Sequence, residues 1–209
     1  MTATPDGPPA DPVDLREPRP VVSHELLHAG RVWDVVGDLV DLGQAQVVRE
    51  YVDHPGAVAI LALDDGDRVL LLSQYRHPVG HVLWEPPAGL LDVEGELPVA
   101  AAARELAEEA DLVADTWAVL VDYFSSPGGS SERIVIFLAR DLHPAPEVFA
   151  REHEEADMVA TWVPLDEAVD GVLSGRLHSP TTVLGVLAAE AARARGWSTL
   201  VPVPSPAGG

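Results

Sequence analysis

The stretch ARELAEEADL, residues 103–112, places Glu105, Glu108 and Glu109 within one helical turn. Like charges at i,i+3 and i,i+4 each cost a helix roughly 0.2–0.5 kcal/mol. At ~100° per residue, Glu108 and Glu109 fall within about 60° on either side of Glu105. Val99, Ala103, Leu106 and Ala110 form the adjoining apolar stripe. Two readings fit such an arc: a solvated acidic face in an acidic protein, or hard oxygen ligands whose repulsion becomes shared coordination of a divalent cation. Upstream, WEPPAGLLDVEGE feeds a glycine-containing loop into the helix. Carboxylates grouped without histidine or cysteine suit Mg²⁺ or Mn²⁺ rather than zinc, and magnesium held in this way also takes substrate phosphates.

The elements that must position these groups belong to a chain of 209 residues with 34 acidic and 13 basic side chains and a formal charge of −21. That length fits one domain with tails. The charge repels nucleic acid and anionic lipid, so neither is an expected partner. The absence of cysteine excludes disulfides and thiolate metal sites. No apolar run reaches the ~18 residues of a membrane span. The start, MTATPDGPPADPVDLREPRP, has no basic region followed by an apolar one. A soluble, cytoplasmic protein is the expectation.

Residues 1–20 and 197–209 read as a disordered and a flexible tail, rich in proline and without periodicity. Residues 21–55 read as extended segments able to pair antiparallel, and residues 56–196 as the main domain. Within it, two β-rich runs flank DDGD, a turn of hairpin type. ELPVAAAARELAEEA is the strongest helix. TWAVLVDYF and ERIVIFLAR are strands around SSPGGSS, and ADMVATWVPL is another. LDEAVDGVLSG and SPTTVLGVLAAEAARAR are helices, the second with Ser179 as N-cap and Pro180 at its first position. Strands and helices interleave without βαβ regularity, which favours an α+β fold with a mixed sheet.

From Gly89 the chain reads G-x6-E-x7-R-E-L-x-E-E-x-D-L. This resembles the Nudix box, G-x5-E-x7-R-E-U-x-E-E-x-G-U, where U is a bulky aliphatic residue. Glu96, Arg104, Glu105, Leu106, Glu108, Glu109 and Leu112 match in place. The first loop is one residue longer, a cheap change, and Asp111 stands where the box has glycine. Aspartate tolerates a left-handed backbone better than most residues. The resemblance implies a Nudix-type α/β/α sandwich. It also implies two or three Mg²⁺ ions, or Mn²⁺, held by Glu105, Glu109, Glu108 and the carbonyl of Ala88. Gly89, Glu96 and Arg104 then have structural roles, Arg104 orienting the glutamates through an ion pair.

Outside the box, SQYRHPVGHVLWEPPAG and Pro127 in SSPGGSSE resemble the ADP-ribose pyrophosphatases of that family. The resemblance makes Arg76, Glu85, Trp33, Pro127 and Glu132 substrate-binding residues. Arg76 is either a phosphate or ribose contact or a surface ion pair. Trp33 either stacks on adenine or packs in a core or dimer contact. The resemblance further implies that in REHEEADM the glutamate that activates water is Glu155, with Glu154 as the alternative. The implied reaction is hydrolysis of ADP-ribose to AMP and ribose 5-phosphate by a homodimer whose N-terminal strands cross between subunits. The alternatives are a Nudix hydrolase of another nucleotide sugar or of a nucleoside triphosphate, and a non-catalytic module that binds ADP-ribose.

Overall fold

The computed structural model describes residues 12–146 and 158–206. The first elements are β1 (Val21–His28), β2 (Asp34–Asp41) and β3 (Gln46–Asp53), which form an antiparallel three-stranded sheet in that order. There follow β4 (Ala57–Ala62), β5 (Arg68–Arg76), β6 (His81–Glu85), β7 (Ala88–Leu90) and helix α1 (Pro98–Ala110). The chain continues through β8 (Leu112–Phe124), β9 (Arg133–Pro144), β10 (Ala160–Pro164), α2 (Leu165–Leu173), α3 (Pro180–Arg193) and β11 (Val201–Val203). The central sheet has the order β11-β8-β9-β4-β7, and a smaller one the order β10-β5-β6. The β4–β9 pair is parallel and its neighbours antiparallel, so the sheet is mixed.

Strand β4 shows why this chain makes a sandwich. Its run AVAILA is apolar throughout, as expected of a strand buried on both faces. Val58, Ile60 and Ala62 join one core with Ala101, Ala102 and Leu106 of α1. Ala59 and Leu61 join the other with Leu165 and Ala168 of α2 and Val186 and Ala189 of α3. Side chains alternate across a strand, so one segment anchors α1 on one layer and α2 with α3 on the other. The result is an α+β fold with helices on both sides of a mixed sheet. Among the described residues, no helix is long and apolar enough to cross a membrane.

Two expectations need correction. The DDGD segment does turn, with Asp64 Oδ1 accepting the Gly66 and Arg68 N–H groups at 2.9 and 2.8 Å. The strands it joins nevertheless share only a single bridge, Leu63 to Val69, and enter different sheets. Turn chemistry reverses the chain without deciding which sheet receives each strand; here both strands are buried and find other partners. At the other end, residues 201–203 are not part of a flexible tail, because β11 pairs antiparallel with β8. Pro202 is tolerated there because β11 lies at the edge of the sheet.

Local signals explain the ends of α1 and α3. Asp111 closes α1 with φ 55° and ψ 34°, its N–H reaching the Ala107 and Leu106 carbonyls, so aspartate does fill the left-handed position. Ser179 occupies the N-cap of α3, but its hydroxyl pairs with Thr181 Oγ1 at 3.0 Å instead of a backbone N–H. All eight residues of β1 are exposed, including Val21, Val22, Leu26 and Leu27.

Tyr123, on β8, is packed against the core of α2 and α3, and its hydroxyl is buried without a hydrogen-bond partner among the described residues. Burial, then the nearby charge of Glu132, pushes its pKa from 10.0 up to about 12. A folded-state pKa above the unfolded one means that the neutral phenol contributes stability fully present below pH 10 and lost as pH rises towards about 12. Tyr123→Phe is therefore expected to flatten the fall in denaturation midpoint over this window. An equally steep fall in the variant would remove Tyr123 as its source.

Candidate active site

The carboxylates of α1 stand beside the β7 loop. Glu109 Oε2 accepts the Ala88 N–H at 3.0 Å, tying the last turn of the helix to the start of β7. Gly89 follows, and a Cβ built on it would lie 2.1 Å from Glu105 Oε1. Only glycine lets the Glu105 carboxylate press this closely against the strand. Arg104 completes the group. It grips Glu96 with two bonds of 3.2 and 3.1 Å, and reaches Glu105 Oε1 at 2.6 Å and Glu108 Oε2 at 3.3 Å. Hydrogen bonding to Glu96, followed by Glu105, outweighs burial and holds the guanidinium protonated well above its ordinary range.

Among the described residues, no three acidic or histidine side chains surround a common point at ligand distance. The donors are nevertheless of the right kind for a hard cation. They are carboxylate oxygens gathered on one arc of α1, against a glycine that leaves room for them. Arg104 supplies the counter-charge for Glu105 and Glu108, the position a divalent ion would share. Gly89→Ala should displace Glu105 and weaken Mg²⁺ binding by roughly 10-fold or more, the scale of losses when a ligand's support is disturbed. Calorimetric titration showing wild-type affinity in this variant would dissociate Glu105 from the cation.

Next to this group opens a cavity of about 320 Å³, lined by Trp33, His54, Arg76, Glu85, Ala88, Gly89, Ser125, Glu132 and the first residues of α3. Small-ligand sites span roughly 300–1,000 Å³, so the volume admits part or all of a nucleotide-sized molecule. Arg76 donates to Glu85 Oε2 through Nε at 3.1 Å and Nη2 at 2.6 Å, and Glu85 is only 7% exposed. The pair therefore forms part of the cavity wall. Glu132 is held by the Ser125 hydroxyl, and its own N–H donates to Ser130 Oγ at 3.1 Å. Thr182, on the first turn of α3, donates to the Trp84 carbonyl at 2.6 Å and fixes the helix start against β6.

The structure thus brings Trp33, Arg76, Glu85, Ala88, Gly89 and Glu132 to one cavity. Glu105 and Glu109 reach its edge through Gly89 and Ala88. Glu108 and Glu96 are joined to Glu105 by Arg104. Pro127 does not line this cavity; it borders a separate depression with Arg49, Glu50 and Tyr51. Glu154 and Glu155 lie outside the described residues. His54 and Ser125 line the cavity although no sequence motif singles them out. Their only sequence signal is local: His54 precedes the Pro-Gly that opens β4, and Ser125 follows β8.

A mixed-sheet sandwich thus sets a carboxylate helix beside a glycine strand at the edge of a nucleotide-sized cavity. In comparisons with known proteins, residues 53–180 match the NUDIX domain, and the chain belongs to the Nudix family of hydrolases. Members of this family generally use divalent metal ions. The ADP-ribose pyrophosphatase of Mycobacterium tuberculosis is 47% identical over 171 residues, covering 81% of this chain and 82% of that one. The ADP-ribose pyrophosphatase of Bacillus subtilis is 33% identical over 167 residues, covering 79% of this chain and 89% of its own. A crystal structure described as an ADP compounds hydrolase superposes with a TM-score of 0.66 at 20% identity, covering 88% of this chain and 99% of that one.

Proposed function

We propose that this protein hydrolyses the pyrophosphate of ADP-ribose to AMP and ribose 5-phosphate. The observation that carries the reading is the meeting of two features at the Ala88–Gly89 strand. On one side stand the α1 carboxylates; on the other opens a cavity with an arginine and a tryptophan in its wall. A diphosphate needs charge compensation in a protein of net charge −21, and a nucleoside needs an aromatic surface. The names of the two bacterial relatives point to the same substrate.

In this reading Glu105, Glu108, Glu109 and the Ala88 carbonyl hold two or three Mg²⁺ ions, with Mn²⁺ as a substitute. When bound, the ions offset the charge of the diphosphate and polarise its oxygens. The chain's own residues do the rest. Arg76, braced by Glu85, contacts a phosphate or the terminal ribose. Trp33 stacks on adenine, and Glu132 contacts the substrate from the loop after β8. Pro127 shapes that loop. Arg104 and Glu96 keep the glutamates in register on α1. Glu155, or Glu154 beside it in the sequence, accepts the proton of the attacking water.

The reading extends to assembly. β1 is the outer strand of its sheet and exposes Val21, Val22, Leu26 and Leu27, a surface suited to a second copy in a homodimer. Sedimentation of a monomer at micromolar concentration would exclude that assembly.

The test of the activity is product analysis with Mg²⁺ over a panel of ADP-ribose, GDP-mannose, UDP-glucose and nucleoside triphosphates. AMP release from ADP-ribose, with the highest kcat/KM of the panel, is the expected result. Faster turnover of another member would move the assignment to that substrate.

A further inference from the structure

His54 joins the aromatic and acidic parts of the cavity wall. Its ring stacks on Trp33 at 5.7 Å between centroids and 28° between planes. Its Nδ1 accepts the Gly56 N–H at 3.0 Å. Gly56 has φ +92° and a built Cβ would meet the Arg133 carbonyl at 3.3 Å, so this glycine makes the turn that aims its N–H at the ring. With Nδ1 acting as an acceptor, the neutral imidazole carries its proton on Nε2. Nε2 in turn faces Glu132 Oε1 at 3.5 Å. The backbone is fixed as well, because the His54 N–H donates to Ser131 Oγ at 2.8 Å. The His54 side chain is only 7% exposed, whereas Trp33 remains 46% exposed.

A buried ring anchored through Nδ1 and through its backbone, and pressed on an exposed indole, is arranged to hold that indole still. We propose that His54 is a positioning residue: it fixes the Trp33 ring and the Glu132 carboxylate relative to one another, and so sets the affinity of the cavity for a nucleoside base. The inference rests on the reading of this cavity as a nucleotide site. It adds the residue on which base affinity depends. Trp33 leaves the loop between β1 and β2, and Glu132 the loop between β8 and β9. His54 contacts both. Rigid aromatic surface costs a ligand less ordering than a mobile side chain does.

The experiment uses AMP as the probe, titrated calorimetrically in EDTA so that cation binding does not contribute. It compares the wild type with His54→Asn and His54→Phe. Asparagine can keep the Gly56 N–H bond through Oδ1, which preserves the turn, but it removes the stack. Phenylalanine keeps the stack. His54→Asn is expected to weaken AMP binding by roughly 10-fold, within the range of losses when a base loses an aromatic support, and His54→Phe to recover most of it. With Mg²⁺ present in place of EDTA, inorganic pyrophosphate should bind all three proteins alike, and KM for ADP-ribose should rise more than kcat falls.

Unchanged AMP affinity in His54→Asn, or an equal loss for pyrophosphate, would overturn the proposal. A wild type that binds AMP no better than ribose 5-phosphate would also overturn it. In the unaltered protein, ring nitrogen shifts should report the Nε2–H tautomer, and an Nδ1–H tautomer contradicts the proposal. If AMP binding responds to His54 as stated but ADP-ribose is not cleaved, the inference stands and the hydrolytic reading falls.

Discussion

Glu109→Gln is expected to lower the rate of AMP release from ADP-ribose by at least ~10²-fold while leaving the fold intact. The reason lies in the two tasks of this side chain. Glu109 accepts the Ala88 N–H at 3.0 Å, and the amide oxygen of glutamine can accept the same bond, so the link between α1 and β7 survives. What is lost is the negative charge, and with it the affinity for a hard cation. Disturbing residues that merely support metal ligands already costs roughly 10–100-fold, so losing a ligand should exceed that. Melting in EDTA should match the wild type within about 0.5 kcal/mol, as for substitutions that leave packing unchanged. Turnover close to wild type in a folded Glu109→Gln would take Glu109 out of the chemistry.

The second large effect concerns Arg104, which touches Glu96, Glu105 and Glu108 together. Arg104→Ala leaves three neighbouring carboxylates without their shared counter-charge. The Arg104 side chain is 32% exposed, between the surface case, worth about 0–1 kcal/mol, and the buried one, at about 3–5 kcal/mol when a partner is removed. A loss of about 1–3 kcal/mol in metal-free stability is therefore expected. It should appear as a lower midpoint in thermal or urea denaturation. Arg104→Lys should recover little of it, because an ammonium cannot reproduce the two-pronged grip on Glu96. Added Mg²⁺ should stabilise Arg104→Ala more than the wild type, since a bound cation takes over the neutralisation of Glu105 and Glu108. Equal stabilisation of both proteins by Mg²⁺ would mean that Arg104 and the cation act on different groups.

These predictions depend on features of unequal visibility in the sequence. The α1 segment was legible because helix-favouring residues, an apolar stripe and the acidic arc all agree over residues 98–110. Asp111 is legible as a helix end because it stands at the glycine of the Nudix box and aspartate tolerates the left-handed backbone found there. The separation of β4 and β5 into different sheets is not legible, since their turn is formed by local bonds around Asp64 while the choice of sheet depends on distant strands. The strand at 201–203 is not legible because three residues around a proline carry too little pattern. Arg76 reads from sequence as a phosphate or ribose contact or as a surface ion pair; in the fold it pairs with Glu85 in the cavity wall, a placement that only the folded chain reveals. His54 was invisible because its partners lie at positions 33 and 132, joined only by the folded chain.

The central claim is that the carboxylates of α1 hold a divalent cation beside the nucleotide cavity. Its most direct test is Mn²⁺ titration followed by electron paramagnetic resonance in the presence of AMP. The wild type is compared with the Glu105→Gln, Glu109→Gln double variant. Saturable binding by the wild type, weakened at least ~100-fold when both carboxylates are removed, is the predicted result. Equal Mn²⁺ binding by the two proteins, with both folded, would contradict the account and place the cation elsewhere.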